Sequence, residues 1–540
     1  MKKKKVLIII TISVLLILSI VGISYALWTL NLTQTGENDI ASTCFNISFT
    51  EKDNISLQKS YPLYDADGKK LTPYEFTITN NCDSYASYAV NLEVLNTTTL
   101  TNNEAIKVMF SEKEDNAESE LKLDLLSNYE TVTKTLNNAT SAFKLVTGYL
   151  GPNKSKTYDL RVWLDENVTT ETVNIQNTTF NSKVVVTANY VNTVEIPFAT
   201  KVITNLAKDA DSSSTDVYTV PDKTSDNCTY TLAYDGTSDN NLRYVGANPC
   251  NYVKVDDEYW RIIGVMNNID DGTGKKESRL KLIRDESIGG YSWDTSDSSV
   301  NIGYGVNEWS QSDLMKLLNS GYLTESVGGS LYYYGKDGNC YAGRYDENTS
   351  CDFTNIGLPT SLKNLIGFAV WNTGTNGENG YTSSNNGLTS HFYSYERSNN
   401  TGKICSSSEM YCNDTVERTT KWQGEVGLMY LSDYGYATSG GSSSNHASCL
   451  AKELYSWDDS SYSDCKNNNW LYMSGYYQWT LSSYSRSTDS NYVFRINMEG
   501  NITYYNVTYQ FAVRPSVYIL PEAMILSGEG TKENPYELSL

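Results

Sequence analysis

The chain has 540 residues, too many for one hydrophobic core, so about two to four domains are expected. Lys and Arg total 42 against 63 Asp and Glu, a net charge of −21, which excludes a nucleic-acid partner because phosphate binding needs clustered cations. With 39% hydrophobic and 12% aromatic residues the chain can build cores, whereas 2 histidines leave little room for His-based catalysis or a His-rich metal site.

Residues 1–28 are the first element. Lys2 to Lys5 precede an unbroken apolar run, Val6 to Trp28, whose 23 residues would rise roughly 35 Å as a helix and span a bilayer. The lysines orient it with the N-terminus inside and the rest of the chain exported. Ser24 and Ala26 sit at −3 and −1 of a signal-peptidase site, so cleavage after Ala26 and retention as a membrane anchor both remain open. Export gives the ten cysteines a role as disulfides. Nearest-neighbour bridges are expected for Cys44 and Cys82, Cys228 and Cys250, Cys340 and Cys351, Cys405 and Cys412, and Cys449 and Cys465, although sequence alone leaves connectivity open. No CxxC occurs, which argues against a zinc site, and neither a metal nor a cofactor is expected.

Residues 29–193 read as an all-β domain. Apolar positions recur with period two in Tyr74/Phe76/Ile78, Tyr88/Val90/Leu92/Val94, Tyr158/Leu160/Val162/Leu164 and Val184/Val186/Ala188/Tyr190. Each run is a half-buried strand, and several at this spacing suggest a sandwich. Asp65-Ala66-Asp67-Gly68 lies between two runs and is read as a hairpin turn in preference to a calcium loop, since the later glutamate of an EF-hand is missing.

The residues Tyr25-Ala26-Leu27-Trp28, Gly36, Asn38 to Ala41, Pro62, Asp65 to Gly68 and Tyr74 to Asn80 resemble the camelysin and TasA-type matrix-fibre proteins of Gram-positive bacteria over roughly residues 20–193. That resemblance implies an exported, jelly-roll-like sandwich able to self-assemble. Some relatives are described as metallopeptidases, but this domain has no histidine and no HExxH, so that activity does not carry over.

Residues 194–226 are polar and acidic through most of their length and read as a linker. From 227 to 540 the pattern becomes α+β. Tyr252 to Val265 is strand, turn, strand, and Leu280 to Arg284 is a further strand after a turn at Asp271-Gly272. Ser310 to Asp313 offers a capping box for a helix carrying Leu314, Leu317 and Leu318, stopped by Gly321. A second helix is expected from Leu362, Leu365, Ile366, Ala369 and Val370, ending by Gly374. Residues 374–470, rich in Gly, Ser and Asn, read as long loops held by disulfides.

The ordered series Trp260-Arg-Ile-Ile-Gly-Val, Glu308-Trp309, Gln478-Trp479-Thr-Leu, Tyr492-Val-Phe-Arg-Ile and Phe511-Ala-Val-Arg514-Pro resembles the bacterial C-type-lectin-like domains related to formylglycine-generating enzymes. Such domains also serve as retroelement-diversified variable proteins and as adhesins. The resemblance implies a binding face over a small twisted sheet. It does not imply catalysis: the reactive cysteine pair of those enzymes has no counterpart beyond Cys465, and the EPN, QPD and WND calcium motifs are absent. His391 and His446 lie in no nucleophile elbow, so no catalytic residue is assigned.

The chemistry that remains is noncovalent recognition. Tyr472, Tyr476, Tyr477, Tyr484, Tyr504, Tyr505 and Tyr509 are interleaved with Ser, Asn and Gly, as in paratopes, where tyrosine presents a large amphipathic surface with few torsions to freeze. Arg486 and Arg495 join them as hot-spot types, with Asn497; Arg495 and Asn497 are expected to face outward. Trp260, Trp479 and Arg514 are expected to be structural. The leading expectation is a bacterial cell-surface or secreted binding protein whose partner is an extracellular protein or glycan. The alternatives are a matrix-fibre subunit assembling through the sandwich, and an extracellular enzyme.

Overall fold

A computed structural model describes residues 29–33, 44–49, 55–58, 61–100, 102–114, 117–168, 178–191, 195–294, 305–319, 338–340, 349–351, 358–377, 387–403, 416–485 and 490–540. The apolar run Val6 to Trp28 and its cleavage site, as well as Cys405, Cys412 and Arg486, lie outside the described residues. Among the described residues no helix is long and apolar enough to cross a membrane. The chain divides after Ile196 into two compact units. Strand makes up 42% and helix 16%, so the protein is mostly β, with several sheets.

The first unit is sandwich-like. Its strands are β1 Thr29–Thr33, β2 Phe45–Phe49, β3 Ile55–Gln58, β4 Pro62–Leu63, β5 Tyr74–Asn80, β6 Ala86–Leu95, β7 Ile106–Glu114, β8 Ala117–Leu125, β9 Thr131–Val132, β10 Ala139–Leu150, β11 Lys154–Asp165 and β12 Thr179–Tyr190. One sheet runs β1-β12-β6-β10-β9 with β3 beside β12; the other runs β2-β5-β11-β7-β8 with β4 beside β11. The period-two runs become strands because alternate side chains of both sheets meet in one core. Val90, Leu92, Val184 and Val186 come from the first sheet, and Phe76, Phe110, Leu160 and Val162 from the second. The hydroxyls of Tyr88 and Tyr158 hydrogen-bond at 2.6 Å inside that core, tying β6 to β11. Asp65–Gly68 is one helical turn and not the expected hairpin turn. Its glycine is required by packing: a Cβ on Gly68 would lie 2.3 Å from the Trp163 ring.

The second unit starts inside the segment expected to be a linker. Ala199–Leu206 is a helix that buries Ala199 and Ile203, and the Ala199 N–H donates to the Ala523 carbonyl at 2.7 Å. Tyr218–Thr219 pairs with Thr231–Tyr234. The polar composition of 207–217 conceals this because two docked apolar residues are enough to hold a helix of two turns.

A ten-stranded sheet is built around Glu258–Asp270, which pairs with Leu242–Tyr244, Tyr252–Val255 and Lys276–Arg284. Gly264 permits the close approach of Leu242–Tyr244, since a Cβ there would lie 2.2 Å from the Leu242 carbonyl oxygen. The smaller six-stranded sheet runs Gly290–Tyr291, Phe511–Ala512, Gln478–Ser485, Tyr492–Ile496, Ile502–Asn506, with Asn376–Gly377 beside Gln478–Ser485.

Two helix readings change in position. The first helix is Asp313–Leu318, capped by Ser312, whose hydroxyl accepts from the Met315 N–H at 3.2 Å. The second is Thr360–Leu365 and stops before Ala369, because Ala369–Asn372 pairs with Lys421–Gly424 as strand. Residues 374–470 also contain more structure than loops, including helices Thr389–Glu396, Leu431–Tyr436 and His446–Leu450.

Among the described residues three disulfides are seen: Cys44 to Cys82, Cys228 to Cys250 and Cys449 to Cys465. Gly338–Cys340 and Thr349–Cys351 pair as antiparallel strands. Both Cys449 and Cys465 are fully buried, so replacing the two with serine removes a loop constraint and is expected to cost about 3 kcal/mol. Thermal unfolding of that variant checks the value, and an unchanged midpoint would contradict it.

Candidate functional site

The tyrosine-rich segment forms two different faces of the smaller sheet. Antiparallel register sets Tyr484 opposite Tyr492, Phe494 opposite Tyr504, and Ile496 opposite Ile502. Opposed residues share a face, so this set packs together. The Tyr484 and Tyr504 rings stack at 4.1 Å, and Phe494 meets Phe392 edge-on at 5.5 Å. Tyr484 is therefore core, while Tyr504 is half-buried against it.

The other face carries Trp479, Val493, Arg495 and Thr503, with Tyr505 two residues beyond Thr503. Phe511, on the neighbouring strand Phe511–Ala512, packs its ring 4.6 Å from Trp479. Tyr477 adds a ring 5.3 Å from Phe511, and Tyr505 lies 5.4 Å from Phe511 and 4.7 Å from Tyr509. Tyr477, Tyr505 and Tyr291 are half-buried, whereas Tyr509 is 43% exposed and the neighbouring Tyr476 is 59% exposed.

Arg495 lies at the centre of these rings and does not face outward as expected. It is only 7% exposed. Its guanidinium carbon sits 3.9 Å from the Tyr477 ring centre, 4.1 Å from Tyr505 and 4.4 Å from Phe511. The cause is non-local: Tyr477 and Phe511 reach Arg495 from segments that precede and follow its strand in sequence, and a strand's own alternation contains no information about them. Burial lowers the Arg495 pKa from its ordinary value against the opposing effect of Tyr477 and Tyr505.

Asn497, also expected to face outward, is half-buried, with its Nδ2 donating to Asn501 Oδ1 at 2.9 Å. Tyr472 is half-buried, and its hydroxyl donates to the Met498 carbonyl. Trp260, Trp479 and Arg514 are buried; Trp479 donates to the Tyr291 carbonyl at 2.9 Å, and Arg514 Nε donates to the Arg284 carbonyl at 2.8 Å. The sequence reading missed Phe511 and Tyr291 as members of this face. Their signal was period two within short strands, too brief to detect.

A second cluster, deep in the unit, was also missed. Lys281, fully buried, donates to Asp433 Oδ2 at 2.5 Å and sits 4.0 Å from the Tyr430 ring centre and 5.0 Å from that of Trp371. Arg243 donates to Asp433 Oδ1 at 2.8 Å and to Asp235 Oδ2 at 2.9 Å. Burial works to raise the Asp433 carboxyl, but Lys281 and Arg243 hold it down at about 2. Burial also pushes the Lys281 ammonium down to about 8 despite Asp433. Every carboxylate here is engaged from inside the protein, which suits a structural network.

Of the two histidines, His446 is buried with Nδ1 2.8 Å from the Thr438 carbonyl oxygen, and His391 packs against Tyr395. Burial lowers both pKa values. Among the described residues, no three His, Cys, Asp or Glu side chains are grouped to hold a metal ion.

No protein-family model and no curated protein sequence matches the chain. Among solved structures, the VP2 subviral particle of infectious bursal disease virus is similar over 31% of this chain and 33% of that one, at 8% identity and a TM-score of 0.15. The Gt strain structure of the same virus matches over 31% and 32%, at 5% identity and a TM-score of 0.15. The chain thus spans about a third of those proteins, and a likeness at that score carries no argument about fold or function.

Proposed function

We propose that the protein is an exported bacterial surface protein that binds an extracellular ligand through the aromatic face around Arg495. On this reading the first unit is a jelly-roll-like presenting domain and the second a C-type-lectin-like binding domain. The observation that carries the reading is the set of tyrosines Tyr476, Tyr477, Tyr505 and Tyr509. Tyr477, Tyr505 and Tyr509 remain half-buried or exposed around a fixed Trp479 and Phe511 base, Tyr476 is exposed next to Tyr477 in the chain, and among the described residues none of the four hydroxyls has a hydrogen bond. Rigid aromatic surface combined with free hydroxyls suits recognition, because binding freezes few torsions and leaves no buried polar group unpaired.

The disulfides add support, since they suit an oxidising compartment outside the cytosol. The test is the full chain applied to an array of bacterial and host surface glycans and proteins, beside the double variant Y476S/Y509S. Saturable binding that falls about tenfold or more in the variant is expected, as for loss of interfacial aromatic anchors. Binding to nothing on the array, or binding indifferent to the two tyrosines, would overturn the reading.

A further inference from the structure

Arg495 poses a chemical problem that its surroundings do not solve. A guanidinium has five N–H donors in one plane and no acceptor. Among the described residues Arg495 has no hydrogen bond and no ion pair from its side chain, and its Nε is enclosed without a partner. Three rings within 4.4 Å of its carbon attract the cation through their faces, but a ring accepts no in-plane N–H. Leaving an enclosed cation without a counter-ion is costly, and proteins ordinarily pair it. Glu499 acts on Arg495 from a distance and forms no ion pair with it. Lys466 is already engaged elsewhere, its Nζ donating to the Glu499 carbonyl at 2.6 Å.

We propose that Arg495 is the anchor for a single carboxylate on a sugar ring, so that the ligand of the aromatic face is a uronic or similarly acidic glycan unit. This rests on the ligand-binding reading above and gives it a substrate class. The fork of a guanidinium matches a carboxylate bidentately, and its enclosure among rings fixes its position before binding. Around it, the hydroxyls of Tyr477, Tyr505 and Tyr509 have no partner among the described residues and supply donors and acceptors for ring hydroxyls. The ring faces supply apolar area for the C–H side of a sugar. A polyanion is disfavoured, because among the described residues the site offers one unengaged guanidinium, on a chain of net charge −21.

The experiment is calorimetric titration of the full chain with methyl β-D-glucuronide, methyl β-D-glucoside and N-acetyl-glutamate amide. Saturable binding of the glucuronide is expected, with the glucoside and the amide each weaker by about tenfold or more, the scale of a lost charge-assisted contact. R495M places an apolar chain among the same rings; it is expected to keep or raise the thermal midpoint while abolishing the preference for glucuronide. R495K keeps the charge without the fork and is expected to fall between the two. Equal affinity for glucoside and glucuronide, tighter binding of the amide, no binding of the glucuronide, or a preference that survives R495M would each overturn the assignment. Array binding of neutral glycans that needs Tyr476 and Tyr509 but not Arg495 would overturn it while leaving the aromatic-face reading standing.

Discussion

Replacing Asp433 with asparagine is expected to destabilise the second unit by about 3–5 kcal/mol, the usual cost of breaking a buried ion pair by removing one partner. The magnitude follows from what is left behind. Asp433 is the carboxylate that receives both Lys281 and Arg243, and it also accepts the Tyr430 N–H at 2.9 Å. Asparagine keeps the shape but leaves two enclosed cations with only Asp235 between them. The Tyr430 and Trp371 rings offset part of the cost for Lys281, on the order of 2 kcal/mol, and not all of it. Urea unfolding measures the loss, and a midpoint within error of the parent's would refute the account. A cycle with Lys281→Met adds a sharper readout. Once the ammonium is gone Asp433 holds one cation fewer, so the double variant should be less destabilised than the sum of the singles.

The same network sets two pH dependences of opposite origin. The folded Asp433 carboxyl lies at about 2, below its ordinary 3.8, so its contribution is present above the ordinary value and disappears as pH falls from there through about 2. Lys281 lies at about 8 in the folded protein against 10.5 ordinarily, so the unfolded chain binds more protons in that window and stability rises with pH across it. In the asparagine variant the ammonium loses the neighbour that raises its pKa. Its deficit relative to the parent should therefore narrow as pH rises toward about 8.

Nothing in the sequence announced this network, because Lys281 and Asp433 are 152 positions apart and Arg243 and Asp433 are 190 apart. The available trace was a lysine inside the apolar run Leu280-Lys281-Leu282-Ile283, buried on both sides in the sheet. By contrast, the strands of the first unit were legible, since each writes its own two-residue period and both sheets bury one face in a shared core. Local pattern failed where a distant partner decided the outcome. Ala369 and Val370 continue a helical spacing but pair with Gly424 and Gln423 as strand, and Ala199 docks on Ala523 across more than three hundred residues. The candidate site was half legible for the same reason. Composition singled out the segment from Tyr472 to Tyr509, and the strand register assigned Tyr484 to the core face and Tyr505 to the other. Phe511, which closes the ring set around Arg495, lies just outside that window.

Trp479 is the residue through which the fold and the candidate site depend on each other, and W479A is expected to cost about 3–5 kcal/mol, the usual range for a buried tryptophan. Its ring is fully buried, lies against Phe511 at 4.6 Å, and is fixed by an indole N–H donating to the Tyr291 carbonyl at 2.9 Å. Removing it opens a cavity beneath Phe511, one of the three rings that enclose Arg495. W479F retains most of the apolar volume and loses the hydrogen bond, so about 1–2 kcal/mol is expected from that change. The two variants separate packing from polarity: if packing holds the platform, the alanine variant falls well below the phenylalanine variant in urea midpoint. Equal losses would assign the platform to the indole hydrogen bond alone, and a small loss in W479A would show that Phe511 and Arg495 are held without it. Ligand affinity should follow the same order, because an anchor enclosed by mobile rings must be ordered during binding, and the free energy spent on ordering is subtracted from the complex.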